Sequence, residues 1–204
     1  MKCFGVLALQ GDFREHIDTL RRLSVETQEV RNSDDLAKVD ALILPGGEST
    51  TMSHLLKQRP NSFKASSLAK ELTLLIKDGM PVWGTCAGMI MLARELTQPT
   101  PIPLGLMSIT VNRNAFGRQS ESFEQDLNIP ELGITPFKAI FIRAPAIVEM
   151  DDDVTTLARL EDGTPVAAIQ KNILVTAFHP ELTNDDRFHQ YFIKTIANHR
   201  IAKP

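Results

Sequence analysis

The sequence is poor in cysteine, in basic clusters and in long apolar runs. Cys3 and Cys86 are its two cysteines, and neither belongs to a CxxC pair of the kind that binds zinc, so we expect no metal site. No stretch approaches the ~18 apolar residues of a membrane span, and the first residues lack a signal-peptide pattern. The net charge is -3 without a basic stripe, which argues against nucleic acid as a partner. We therefore expect a cytoplasmic protein with reduced thiols that binds neither membranes nor nucleic acid.

The proportions of hydrophobic and charged residues are typical of a globular protein. Hydrophobic residues make up 43% of the 204 positions and charged residues 23%. This is enough apolar material for a full core without disulfide or metal support. The length fits one compact domain, so we predict a single domain over residues 1–204.

Apolar segments of strand length alternate with helical patterns in the first half. Because these strands are apolar throughout, the alternation predicts a parallel sheet covered by helices on both faces. The second half adds strands and a C-terminal helix, so the predicted fold is a single-domain α/β protein with a mixed, mostly parallel open sheet. The predicted strands are residues 3–9, 24–30, 41–44, 80–83, 108–112, 139–142, 154–160, 166–170 and 173–178, and helices are predicted near residues 13–20, 33–36, 68–76 and 89–96.

The segment from Gly84 to Gly88 joins a strand to a helix and has the G-x-C-x-G form of a nucleophile elbow. Small residues are needed two positions on either side of Cys86 because larger side chains would crowd the turn. The turn places Cys86 at a helix N-terminus, where the dipole favours the thiolate, and aims the N–H of Ala87 at a developing oxyanion. A buried core cysteine explains the same pattern without chemistry, so both interpretations stay open here.

A second loop, with the sequence PGGESTT, follows the buried strand at residues 41–44. Its two glycines allow a ligand to approach the backbone closely, and Gly47 is a candidate for a second oxyanion N–H. We expect Ser49, Thr50 and Thr51 to cap the helix that follows. Ligands of open α/β sheets bind at the carboxyl ends of the strands, where this loop and the Cys86 turn both lie. A tight turn with a cap and no ligand is the alternative.

His179 and Glu181 follow the last predicted strand. A cysteine nucleophile needs an imidazole to take its proton, and the imidazole needs a carboxylate to hold its tautomer. These two residues offer both groups from one strand end. The other histidines, His16, His54, His189 and His199, lie on predicted helices and are interpreted as core or surface residues.

Six segments together carry a resemblance to a known family. GTCAG with the later HPE is similar to the class I (triad) glutamine amidotransferases. Adding LQG at 9–11, LPGGESTT at 44–51, RNAFGRQ at 113–119, FIRAP at 141–145 and FHPELT at 178–183, the chain resembles the glutaminase subunit of pyridoxal 5'-phosphate synthase (the PdxT, Pdx2 or Sno family). The resemblance runs from about Gly5 to about Phe192, and PGGEST and FGRQ are its most specific segments.

The resemblance implies an enzyme with a flavodoxin-like, class I amidotransferase fold that releases ammonia from L-glutamine without a cofactor. It implies Cys86 as nucleophile, His179 as base and Glu181 as the group that orients it. It also implies a partner, a (β/α)₈ synthase subunit that receives the ammonia, and weak activity of the free subunit. Its further implied residues are the glutamine-binding Gly47, Glu48, Ser49, Arg113, Ile142 and Arg143, the oxyanion donors Gly47 and Ala87, and Gln10 at the partner interface.

One departure from the family lies at Asp12, where a small or apolar residue is expected close to the proposed interface. Three rival interpretations remain. The chain could feed ammonia to another pathway, could be a cysteine peptidase or a DJ-1-like protein, or could be a binding module without catalysis. PGGEST with FGRQ argues against the first, the late His179-Pro180-Glu181 against the second, and Cys86 on its turn against the third.

Overall fold

A computed structural model describes residues 2–58, 67–116 and 122–197. The α-helices over these ranges are α1 Phe13–Arg22, α2 Ser33–Leu36, α3 Ser49–Lys57, α4 Leu68–Lys77, α5 Ala87–Leu92 and α6 Arg187–Tyr191. The strands are β1 Cys3–Leu7, β2 Glu26–Val30, β3 Ala41–Leu44, β4 Val82–Thr85, β5 Ala93–Leu96, β6 Met107–Asn112, β7 Phe123–Leu127, β8 Phe137–Phe141, β9 Ala146–Met150, β10 Thr155–Arg159, β11 Pro165–Gln170 and β12 Ile173–Thr176. Short 3₁₀ turns cover Pro130–Leu132 and Pro180–Leu182, and a π-helical turn, Phe192–Ile196, continues α6.

A seven-stranded sheet with the order β10-β11-β12-β4-β3-β1-β2 forms the centre of the fold. Neighbouring strands pair in parallel from β2 through β1, β3 and β4 to β12. At the other edge, β11 pairs antiparallel with β12, and β10 pairs antiparallel with β11. The predicted mixed, mostly parallel sheet is therefore confirmed. Two smaller sheets, β5-β6-β9 and β7-β8, accompany it.

The central strands β3, β4 and β12 are buried along their whole length, as expected for parallel strands covered on both faces. The chain steps from β1 to β2 in one direction and then back across β1 to β3. Right-handed crossovers therefore place α1 and α2 on opposite faces of the sheet. In the described ranges, no helix is both long enough and apolar enough to cross a membrane.

The helix predicted at residues 89–96 is wrong in its second half. It ends at Leu92, and Ala93–Leu96 pairs with β6 as a strand. Backbone N–H groups of Leu104 and Leu106 bond the carbonyls of Met91 and Leu92, so a returning loop takes up the groups that another helical turn would have used. Local periodicity did not reveal this pairing, nor the strands β7 and β9.

The carboxyl ends of the parallel strands meet at one edge, and the loops that follow β1, β3, β4 and β12 therefore lie together. Beneath them, an aromatic cluster fills the core between the sheet and α6. Trp83 stacks on Phe188 with ring centroids 6.0 Å apart, and Phe178 meets Phe188 edge-on at 5.3 Å. These rings pack closely beneath the strand ends.

Candidate active site

Cys86 occupies the tight turn between β4 and α5. Its backbone has φ 46° and ψ -101°, a conformation that L-residues rarely adopt and that is typical of strained functional turns. The backbone N–H of Cys86 donates to Thr176 O at 2.8 Å, which ties the turn to β12. The sulfur is largely buried, and it lies 3.9 Å from the carbonyl oxygen of Ile142.

The two glycines that flank Cys86 are required by close packing. A Cβ on Gly88 would lie 2.1 Å from the carbonyl oxygen of Leu44, and a Cβ on Gly84 would lie 2.5 Å from the carbonyl carbon of Gly88. Both contacts are with backbone, which cannot move aside as a flexible side chain can. The glycine pattern therefore lets the turn approach β3 and its own helix.

His179 lies just beyond β12 and is hydrogen-bonded to Glu181. The distance between His179 Nδ1 and Glu181 Oε1 is 2.8 Å, and both side chains are buried. The 3₁₀ turn Pro180–Leu182 brings the two side chains together. His179 Nε2 is also buried and makes no well-aligned hydrogen bond within the described residues.

Negative groups surround the His179 ring. Burial alone would lower the pKa of His179, but interactions with Asp12, Cys86 and Glu181 outweigh it and raise the pKa to about 12. Asp12 Oδ2 lies 3.4 Å from His179 Nδ1, and this contact lowers the pKa of Asp12. Burial raises the pKa of Glu181 against the opposing effect of His179. These groups therefore stabilise the protonated form of the His179 ring.

The loop after β3 lies directly against the His179 ring. A Cβ on Gly46 would lie 2.3 Å from His179 Cε1, and Gly47 has a φ of 145°. The Gly46 carbonyl accepts a bond from the N–H of Asp12 at 3.2 Å. The N–H of Glu48 donates to Gln10 Oε1 at 3.0 Å. The loop after β1 thus holds both peptides of the glycine pair.

The expectation that Ser49, Thr50 and Thr51 cap α3 is wrong. Glu48 is the cap, because its carboxylate accepts hydrogen bonds from the N–H groups of Thr50 and Thr51 at 2.8 Å and 2.6 Å. Burial would raise the pKa of Glu48, but these bonds outweigh it and lower the pKa to about 2. Glu48 also lies 3.6 Å from the guanidinium of Arg113.

Arg113 is held at the rim by several partners. Its Nη1 donates to the carbonyl oxygen of Thr100 at 2.5 Å, and its Nη2 donates to Thr50 Oγ1 at 3.3 Å. Its Nε is buried without a hydrogen-bond partner in the described residues. Arg143, with a φ of 46°, is exposed beside Ile142. Both arginines face one cleft, where an anionic ligand group would meet them.

That cleft has a volume of about 580 Å³ and contains most of the residues singled out in the sequence. Of those residues, Gln10, Ala87 and Glu181 are outside its lining, Glu181 because it lies behind His179. Gly117, Arg118 and Gln119 of the RNAFGRQ segment, like His199, lie outside the described residues. The lining consists of Asp12, Gly47, Glu48, Ser49, Cys86, Ile90, Arg113, Asn114, Ser122, Ile142, Arg143 and His179.

Three residues near the site went unrecognised in the sequence. Asp12 was seen as an interface residue, but it contacts His179. His16 and His189 were interpreted as ordinary helix residues, but both are fully buried and His16 Nε2 lies 3.3 Å from Glu181 Oε2. A histidine on the apolar face of an amphipathic helix is the one local signal that these two positions offered.

Asp12, His179 and Glu181 also form the one group of metal-ligand side chains found in the described residues, with donor atoms within 4.8 Å of one another. A cation there would displace the proton between His179 Nδ1 and Glu181. Metal binding and the observed hydrogen bond are therefore mutually exclusive.

Residues 6–198 match the SNO glutamine amidotransferase family. Two curated relatives are each named pyridoxal 5'-phosphate synthase subunit PdxT. The protein from Roseiflexus castenholzii is 50% identical over 195 residues, covering 93% of this chain and 98% of its own length. The protein from Carboxydothermus hydrogenoformans is 50% identical over 192 residues, covering 94% and 96%.

Solved structures agree with the sequence match. A crystal structure described as a glutamine amidotransferase is 45% identical, with a TM-score of 0.86, and covers 96% of this chain and 98% of its own. The structure of PurLQS from Thermotoga maritima has a TM-score of 0.66 at 18% identity and covers 95% and 98%. At that identity the second similarity shows the fold alone.

Proposed function

Because the chain belongs to the SNO glutamine amidotransferase family, we propose that it is the glutaminase subunit of a pyridoxal 5'-phosphate synthase. In this proposal, Cys86, His179 and Glu181 hydrolyse L-glutamine to L-glutamate and ammonia. The ammonia then passes to a (β/α)₈ synthase subunit, so this chain supplies nitrogen to vitamin B6 biosynthesis.

The observation that most supports a catalytic triad is the arrangement of its three side chains. Cys86 stands on a strained turn that opens into the same cleft as His179. His179 is bonded through Nδ1 to a buried carboxylate and keeps Nε2 available. A core cysteine would need neither the strained turn nor the paired imidazole.

The mechanism begins with transfer of the Cys86 proton to His179 Nε2, which Glu181 and Asp12 favour by stabilising the imidazolium. The thiolate attacks the side-chain amide carbon of glutamine, and the N–H groups of Gly47 and Ala87 hold the oxyanion. His179 then gives its proton to the departing nitrogen, which leaves as ammonia. Water, deprotonated by His179, hydrolyses the glutamyl thioester, releasing glutamate and restoring the thiol. No cofactor takes part.

The α-amino and α-carboxylate groups of glutamine bind at the rim. Arg113 and Arg143 supply positive charge for the carboxylate, and Glu48 supplies negative charge for the ammonium. Ile142, through its backbone, and Ser49 complete the pocket. The side-chain amide then reaches inward to Cys86.

The synthase subunit docks, in this proposal, on the loop that contains Gln10. That loop bonds the two peptides on which Gly47 depends, through Asp12 N–H and Gln10 Oε1. Docking there would set the Gly46–Gly47 peptide and complete the oxyanion hole. We further propose that residues 1–204 act as one domain and that the enzyme works in the cytoplasm, where Cys86 stays reduced.

The test is glutamate release from glutamine, measured with and without a pyridoxal 5'-phosphate synthase subunit, beside a Cys86→Ala control. We expect turnover that rises with the partner and vanishes in the control.

Each other result removes a defined part of the proposal. Turnover that is the same with and without that partner would keep the glutaminase and remove both the vitamin B6 assignment and the docking step. No turnover in either setting, with Cys86 inert toward a glutamine-analogue electrophile, would leave a binding module.

A further inference from the structure

Two further histidines lie behind the proposed triad, in the core between the sheet and its helices. His16 is on α1 and His189 is on α6, and neither is exposed to solvent. Both rings pack edge-on against Trp83, with centroid distances of 5.6 Å and 4.9 Å. Fully buried histidines are costly unless their polar atoms are paired, so their partners are informative.

The contacts of His16 connect it to Glu181. His16 Nδ1 lies 2.9 Å from His189 Nε2. His16 Nε2 lies 3.3 Å from Glu181 Oε2 and 3.3 Å from the hydroxyl oxygen of Thr85. Glu181 Oε2 has no well-aligned hydrogen bond within the described residues. His16 Nε2, which also contacts the Thr85 hydroxyl, is the imidazole nitrogen within reach of that oxygen.

Both histidines are neutral near pH 7. Burial is the main cause that lowers the pKa of His16 well below its ordinary value, and repulsion from the protonated forms of His189 and His179 adds to it. Burial and the charge of Arg22 lower the pKa of His189 to about 3. A neutral imidazole has one N–H and one lone pair. The 2.9 Å contact between His16 Nδ1 and His189 Nε2 is therefore a hydrogen bond in which one ring donates its proton and the other accepts it.

The position of that proton follows from the partners at the two ends. If His16 held it, the lone pair on His16 Nε2 would face the carboxylate oxygen of Glu181, and His189 would bury an unpaired Nδ1–H. If His189 holds it, His16 Nε2–H points at Glu181, and His189 Nδ1 is left with a lone pair alone. His189 Nδ1 indeed has no partner in the described residues, and a buried unpaired N–H is the rarer and costlier state.

We infer that His16 is a positioning residue of the proposed triad: His189 donates to His16 Nδ1, and His16 thereby donates Nε2–H to Glu181 Oε2. Glu181 then receives an imidazole N–H on each oxygen, from His179 and from His16. With both oxygens engaged, the carboxylate is held against rotation away from His179. This inference rests on the proposed triad, whose catalytic role it extends.

The first measurement reads the tautomers directly and does not require activity. Two-dimensional ¹H–¹⁵N NMR of the imidazole rings in the whole, unliganded protein distinguishes Nε2–H from Nδ1–H, with single variants assigning each histidine. We expect neutral Nε2–H tautomers for His16 and His189. An Nδ1–H tautomer or a protonated ring at either position would overturn the inference.

The second measurement asks whether the donated bond matters for turnover. His16→Phe keeps a planar ring but offers no donor, whereas the amide nitrogen of His16→Gln can reach the position of Nε2. We expect kcat to fall about 10- to 100-fold in His16→Phe, the loss typical of a bond to a charged group, with KM within about twofold. We expect His16→Gln to recover to within about threefold of the original enzyme.

Equal losses in the two variants would mean a packing role, and no loss in either would mean that Glu181 needs no second donor; both results overturn the inference. Thermal unfolding of each variant identifies misfolding, and in that case the tautomers of the original protein decide. If the original enzyme shows no turnover while its tautomers are as expected, the proposed function fails and the hydrogen-bond arrangement stands.

Discussion

Gly46→Ala tests whether the loop after β3 must leave room for His179. The alanine Cβ would lie 2.3 Å from His179 Cε1 and 2.8 Å from Nδ1. Gly46 does not need a positive φ, so the backbone accepts alanine and the ring must move. Reaching ordinary contact takes about 1 Å, enough to break the 2.8 Å bond to Glu181. A misplacement of ~1 Å in a catalytic group costs ~100-fold in rate. We expect that loss in kcat/KM for glutamine, measured as glutamate release with the synthase subunit present.

Gly163→Ala is the matched control. Gly163 has a φ of 87° in the exposed turn between β10 and β11, and its Cβ would meet nothing. The left-handed backbone costs an alanine about 1–2 kcal/mol, which lowers Tm by about 2–8 °C in a protein of this size. We expect Gly163→Ala to lose stability and keep activity. Gly46→Ala should lose activity about 100-fold whatever its change in Tm, because its Cβ displaces the His179 ring. Activity of Gly46→Ala within about threefold of the original would refute the steric reasoning.

Three further predictions concern the rim, the cap and the metal-ligand cluster. Arg113→Ala should raise KM for glutamine about 10-fold, the value of a hydrogen bond to a charged group, with kcat changed less than about threefold. A loss in kcat at constant KM, measured by steady-state kinetics, would contradict the proposed contact between Arg113 and the glutamine carboxylate. The pKa of Glu48 is lowered from 4.5 to about 2 in the folded protein, so its stabilisation is present above pH 4.5 and is lost as pH falls toward 2. Glu48→Gln should therefore be less stable than the original by about 0.5–1 kcal/mol at pH 7, and chemical denaturation should show the gap closing between pH 4.5 and 2 rather than staying constant. A chelator such as EDTA should leave glutamate release within about twofold, and a marked loss would point to a functional cation at Asp12, His179 and Glu181.

Local sequence pattern was enough to predict the central sheet and much of the candidate site. Fully apolar strands separated by amphipathic helices can be buried in few ways, so the mixed, mostly parallel sheet followed from them. The turn around Cys86 was also predictable, because only glycine at positions 84 and 88 lets the backbone of the turn pack so closely against α5 and β3. His179 and Glu181 were predictable as a pair because they lie two positions apart at one strand end.

Contacts between residues distant in the chain could not be predicted from local pattern. The helix after Cys86 ends at Leu92 because a returning strand, β6, pairs with the residues that follow. Asp12 meets His179 because the loops after β1 and β12 reach the same sheet edge. His16 and His189 are 173 positions apart, and each looks locally like any residue on a helix face. Their contact exists because α1 and the C-terminal helix α6 both pack over Trp83.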